Sequence, residues 1–133
     1  MWICMADCFV SAVQDRDDPN GLVVRARKQE HLTRLFPSKG IAITPEADYA
    51  ARVFAAKAEF AAVVSERITA IAYDNFKHSV RDHRLHKLYS DFWTLHRRYQ
   101  NDEEGGWSRH SSALSIGSGT QADAGLLERA PRR

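Results

Sequence analysis

Four of the six histidines of this chain, His78, His83, His86 and His96, share one stretch with Asp82. On a helix Asp82 and His86 are i, i+4 neighbours, close enough to hydrogen-bond. A carboxylate that orients an imidazole is the smallest unit of acid–base or metal chemistry. Helical angles place Asp82, His86, Tyr89, Trp93 and Arg97 within about 80° of one another. They form one polar-aromatic flank. The plainer reading is a structural Asp–His pair bordering a packed Trp. It is favoured, because no third ligand or nucleophile accompanies the pair. The spacing from His78 to His86 also matches no zinc site. No metal and no cofactor are expected. A hydrolase or metalloprotein centred on Asp82 and His86 stays an alternative, and the balance is against an enzyme.

The same stretch is basic. From Phe76 to Tyr99 it carries Lys77, Arg81, Arg84, Lys87, Arg97 and Arg98 against Asp82 and Asp91, a local charge of +4. Lys77, Arg81, Arg84 and Lys87 would track along one side of a helix. Such a track suits phosphates, with Tyr89 or Trp93 for stacking. The competing reading is a solvated helix face whose cationic side chains snorkel. Arg25, Arg27, Lys28 and Arg34 make a second basic patch. Nucleic-acid binding gains weight if the fold brings the two patches to one face.

Signatures of several enzyme classes are missing. There is no G-x-S-x-G elbow, P-loop, G-x-G-x-x-G or HExxH. The 133 residues, 44% hydrophobic and 27% charged with a net charge of +2, are ordinary for one globular domain. That charge is too mild to indicate nucleic acid alone. No apolar run approaches the roughly 18 residues a membrane helix needs. No Lys or Arg precedes Arg16 and Asp7 interrupts the first apolar run, so no signal peptide is read and a cytoplasmic protein is expected. Cys4 and Cys8 are read on one strand, about 13 Å apart and too far for a disulfide. Both are expected as small buried hydrophobes in a reducing compartment.

These residues need elements to position them. Asp15–Gly21, DRDDPNG, is a dense turn signal between Cys8–Val13 and Leu22–Arg27, which suit paired strands. A short helix is predicted over 28–36, a strand over 41–44 and another over 49–55. From Lys57 the pattern turns helical through Phe60, Val63, Val64, Ile68 and Ile71. Lys28-Gln-Glu30-His31 and Lys57-Ala-Glu59-Phe60 lie 29 residues apart, as two β-β-α halves would have them. One or two helices then span 73–99. Leu85, Leu88, Tyr89, Phe92, Leu95, His96 and Tyr99 form an unbroken apolar stripe that should pack on the domain or on a partner. After Asn101 only 9 of 32 residues are apolar, against 49 of the first 101. Residues 1–101 are read as one domain and 102–133 as a largely disordered Ser/Gly-rich tail.

The opening Met1-Trp2-Ile3, the stretch Val24-Arg25-Ala26-Arg27 and the block Tyr73-Asp-Asn75-Phe76-Lys77-x-Ser79-Val80-x-Asp82, continuing to His86, Tyr89 and Trp93, carry a likeness. Residues 1–100 resemble a family of short bacterial proteins, about 100 residues long, with no assigned activity. The resemblance implies a stand-alone domain and transfers no function.

The sequence thus predicts an α+β fold. A small antiparallel sheet in β-β-α-β-β-α order should carry a long C-terminal helix. The expected function is that of a non-enzymatic interaction or regulatory protein. Its partner is another protein or a second copy of itself. Candidate binding residues are Lys77, Arg81, Arg84, Lys87, Tyr89 and Trp93. The alternative is a nucleic-acid-binding accessory protein using the basic helix. No membrane is expected as a partner.

Overall fold

The computed structural model describes residues 1–101. The predicted tail, 102–133, lies outside the described residues. Five strands form one antiparallel sheet: β1 (Trp2–Cys4), β2 (Phe9–Gln14), β3 (Gly21–Ala26), β4 (Ala42–Ile43) and β5 (Ala51–Ala56), in the order β1-β2-β3-β5-β4. Helix α1 (Gln29–Leu35) follows β3, and α2 (Lys57–Thr69) follows β5 directly. A single turn, α3 (Phe76–Ser79), precedes the long helix α4 (His83–Asn101). The fold is α+β, as the sequence predicts. The segments β2-β3-α1 and β4-β5-α2 take matching places on either side of the central β3–β5 pair.

One expectation is corrected at the start of the chain. Met1–Val13 is not one strand but a hairpin, with Trp2 opposite Ser11 and Cys4 opposite Phe9. Its turn is closed by Met5 N–H donating to the Cys8 carbonyl at 2.9 Å. The two cysteines therefore differ: Cys4 is exposed and Cys8 is fully buried. The DRDDPNG turn forms as read. Asp15 and Asp18 accept the amides of Asp17 and Asn20 through their carboxylates. A Cβ added at Gly21 would meet the Asp18 carboxylate at 2.9 Å, so a larger residue there would displace the Asp18 side chain.

Strand alternation sorts the two faces. On one face lie Val10, Ala12, Val24, Ala26, Ala51, Val53 and Ala55, all buried. Four of these are alanines, which let helices approach closely. Leu32, Leu35 and Phe36 from the α1 segment and Phe60 from α2 fill the space above them. Phe60 is 2% exposed, and burying such a side chain contributes roughly 1.5–3 kcal/mol. The other face holds Phe9, Ser11, Val13, Val23, Arg25, Arg52 and Phe54. There Phe9 forms a second core with Val80, Leu85 and Tyr89. Val13 and Phe54 stay exposed.

Candidate functional site at the start of α4

The helix α4 starts where Asp82 makes it start. The first amides of a helix have no intrahelical acceptor. Asp82 Oδ1 accepts two of them, from Arg84 and Leu85, both at 2.9 Å. The Leu85 amide, with that of Arg84, holds this carboxyl below its usual range. The expected bond to the His86 side chain does not form among the described residues. His86 bonds to Asp82 only through the backbone, N–H to carbonyl, at 2.8 Å. A short carboxylate cannot cap the helix and reach i+4 at once, and the cap wins. Among the described residues no three of His, Cys, Asp and Glu gather in a group that could hold a metal ion.

Other residues of the Tyr73–Trp93 block are engaged as well. The Asn75 side chain caps α3 by accepting the His78 amide. The Ser79 hydroxyl donates to the Phe76 carbonyl at 2.6 Å. Tyr89 is buried, with its hydroxyl 3.0 Å from the Met5 carbonyl and 2.8 Å from that of Cys8. An aromatic chain runs from Tyr73 through Phe76, Tyr89 and Phe92 to Phe9 and Trp2, each step 5.2–6.4 Å between ring centres. Such pairs contribute about 0.5–1.5 kcal/mol each beyond their burial.

The four expected basic residues do not share one helix. Lys77 lies on α3, and its ammonium sits 4.5 Å from the Trp93 ring centre. The Arg97 guanidinium lies 5.4 Å from the same ring. Lys87 pairs with Asp91 at 3.0 Å. Arg81 and Arg84 enter two different grooves on either side of Asp82. The break is the extended backbone at Val80, φ −84° and ψ 107°, which turns the chain between α3 and α4.

The second basic patch is divided in the same way. Arg34 joins Arg81 in the first groove, of about 620 Å³, under which Arg67 holds Asp7 through both carboxylate oxygens at 3.1 and 3.0 Å. Arg27 and Lys28 join Arg84 in the second, of about 340 Å³. The two patches thus meet, but as the rims of two grooves rather than one track.

The second groove also gathers residues that the sequence reading did not name as site residues: Trp2, Phe9, His31, Tyr49, Leu88 and Phe92. The Tyr49 ring has the guanidinium carbons of Arg25 and Arg27 at 4.7 and 4.8 Å from its centre. Arg25 donates to the Ser11 hydroxyl at 3.0 Å, and its buried Nε has no partner among the described residues. His31 Nδ1 lies 3.3 Å from the backbone N and O of Phe9. Burial lowers the His31 pKa below its ordinary 6.5, which favours the neutral ring. No sequence signal marks this groove: Trp2 reaches the sheet face of Phe9 only through its pairing with Ser11.

No family model matches this chain, and neither does any curated protein or solved structure. No helix among the described residues is long and apolar enough to cross a membrane.

Proposed function

We propose that this protein is a non-enzymatic interaction module that self-associates through the second half of α4. One observation carries the reading. The apolar stripe of α4 is longer than the surface it packs on. Leu85 and Tyr89 are buried against the sheet, whereas Leu95 is 55% and Tyr99 84% exposed. A second copy is the occupant that fits, because a two-fold pair sets the same stripe against itself. The edges of the sheet offer poor alternatives. Its edge strands β1 and β4 are three and two residues long, too short to recruit another strand.

Three polar groups that chemistry could draw on are engaged in structure. Asp82 caps α4, the Tyr89 hydroxyl holds the β1–β2 turn, and the buried Ser11 hydroxyl accepts from Arg25. The decisive experiment is light scattering of the full chain over a wide concentration range. A concentration-dependent dimer is the expected result. A strict monomer throughout that range would count against self-association.

A further inference from the structure

The second groove has the build of a small-molecule site, and it does not depend on self-association. We propose that it binds a small organic acid with an apolar body, of the medium-chain or aryl-substituted carboxylic acid class. Its volume, about 340 Å³, lies in the range of roughly 300–1,000 Å³ typical of ligand pockets. Its walls are apolar and aromatic: Trp2, Phe9, Leu85, Leu88 and Phe92. They are also preformed. The Trp2 and Phe92 rings stack at 6.4 Å and 11°, and Phe9 meets both edge-on. A ligand body therefore meets rings that are already ordered, which lowers the cost of binding.

The charge is one-sided. The lining residues include three cations, Arg27, Lys28 and Arg84, and one carboxylate, Asp82. Asp82 Oδ1 already accepts two backbone amides. Arg27 is paired with Asp48 at 2.8 Å, and Lys28 reaches Glu30 only at 4.0 Å. Arg84 has no ion-pair partner among the described residues. Lys28 and Arg84 come from different elements, the α1 cap and the first turn of α4. His31 adds a neutral polar group, whose Nε2 has no hydrogen-bond partner among the described residues. A carboxylate matches this rim, since charge-assisted bonds from Arg and Lys are the strong ones. The apolar walls then select an acid with a hydrocarbon body over a bare inorganic anion.

The test uses the full chain labelled with ¹⁵N, and the Trp2 indole N–H as reporter. Three probes share one tail: sodium decanoate, 1-decanol and decyltrimethylammonium, all kept below micelle formation. Decanoate is expected to shift the Trp2 signal saturably. The neutral and cationic probes should bind at least about tenfold more weakly, the worth of one charge-assisted hydrogen bond. Arg84→Gln and Lys28→Gln should each weaken decanoate several-fold with the fold unchanged. Absence of a saturable shift overturns the proposal, and so does equal binding of all three probes. Co-sedimentation with phosphatidylglycerol vesicles would also overturn it, by reassigning the groove to a lipid surface.

Discussion

The Tyr89 hydroxyl on α4 lies 3.0 Å from the Met5 carbonyl and 2.8 Å from that of Cys8, joining the chain across more than 80 residues. A phenol has one proton, so the two carbonyls share it. The tie locks the β1–β2 turn to the helix that covers it. Burial raises the Tyr89 pKa, which keeps the donor protonated at any physiological pH. Tyr89→Phe leaves both carbonyls without this donor and should cost about 1–3 kcal/mol. Each kcal/mol lowers Tm by roughly 4–8 °C in a domain of this size. Tyr73→Phe, at a more exposed ring of the same aromatic chain, should change stability by less than about 0.5 kcal/mol. Thermal melts of the two variants followed by circular dichroism check the contrast.

This tie also marks where the sequence stops being legible. The alternation in β3 and β5 reads correctly because one face of the sheet is buried under α1 and α2. The hairpin of β1 and β2 does not read, because Met5-Ala6-Asp7-Cys8 turns without Gly, Pro or Asn. Its closure depends on Tyr89, a long-range contact that no local pattern encodes. The break at Val80 is not fixed by the pattern, which admits one helix or two over 73–99. Phe76 and Val80 keep helical spacing across it, and no Gly or Pro interrupts them. Asp82 is legible only as a choice between two partners: the residue type fits a helix cap and an imidazole equally. The second groove was not legible at all, since Trp2, His31, Tyr49 and Leu88 lie on four separate segments that only the fold unites.

The cap predicts a discriminating pair of variants. Asp82→Asn keeps an oxygen acceptor for the Leu85 and Arg84 amides and should keep most of the stability. Asp82→Ala removes the acceptor, and its Tm should fall clearly below that of Asp82→Asn. An Asp–His pair acting in chemistry would give the opposite weighting, with Asn as damaging as Ala. The acid limb adds a second readout. The folded pKa of Asp82 is lowered, so its contribution is full above the unfolded value near 3.8 and is lost as pH falls through the folded one. Urea melts between pH 5 and pH 2.5 should show a shallower acid decline in Asp82→Ala than in the parent.

His31 predicts a pH effect at a higher pH. Its folded pKa is lowered, chiefly by burial, so below about 6.5 the unfolded chain binds more protons than the folded one. Stability from the neutral ring is therefore full above that value and falls as pH drops beneath it. The positive charges of Arg34 and Lys28 act in the same direction. Urea midpoints measured at pH 7.5 and pH 5.5 should show a decrease for the parent. In His31→Gln, which cannot titrate, the decrease should be smaller.

The exposed end of α4 predicts separable effects on assembly and stability. Leu95→Lys and Tyr99→Lys place charge on the exposed end of the stripe. Each should leave Tm within about 0.5 kcal/mol equivalent of the parent at monomeric concentration. Each should weaken self-association by at least about tenfold, since truncating a central apolar anchor commonly costs 2 kcal/mol or more. Sedimentation equilibrium at several concentrations measures the shift. Phe60→Ala is the contrast: it opens the main core and should cost about 3–5 kcal/mol whatever the concentration.

The two cysteines predict a thiol count that reports on the hairpin. Cys8 is fully buried, with its Sγ 3.6 Å from Met5 Sδ. Burial, with the charge of Asp7 beside it, pushes its pKa up to about 12. The thiolate is the nucleophile, so Cys8 is silent at pH 8 on two grounds, access and ionisation. Cys4 is exposed, and partial burial raises its pKa in the same direction but leaves it reachable. A disulfide reagent at pH 8 to 9 should therefore titrate one thiol in the native chain and two in urea. In Tyr89→Phe the loosened turn should open more often, so Cys8 should react faster while Cys4 keeps its rate. If both thiols of the native parent reacted at one common rate, the hairpin and its anchoring to α4 would be wrong.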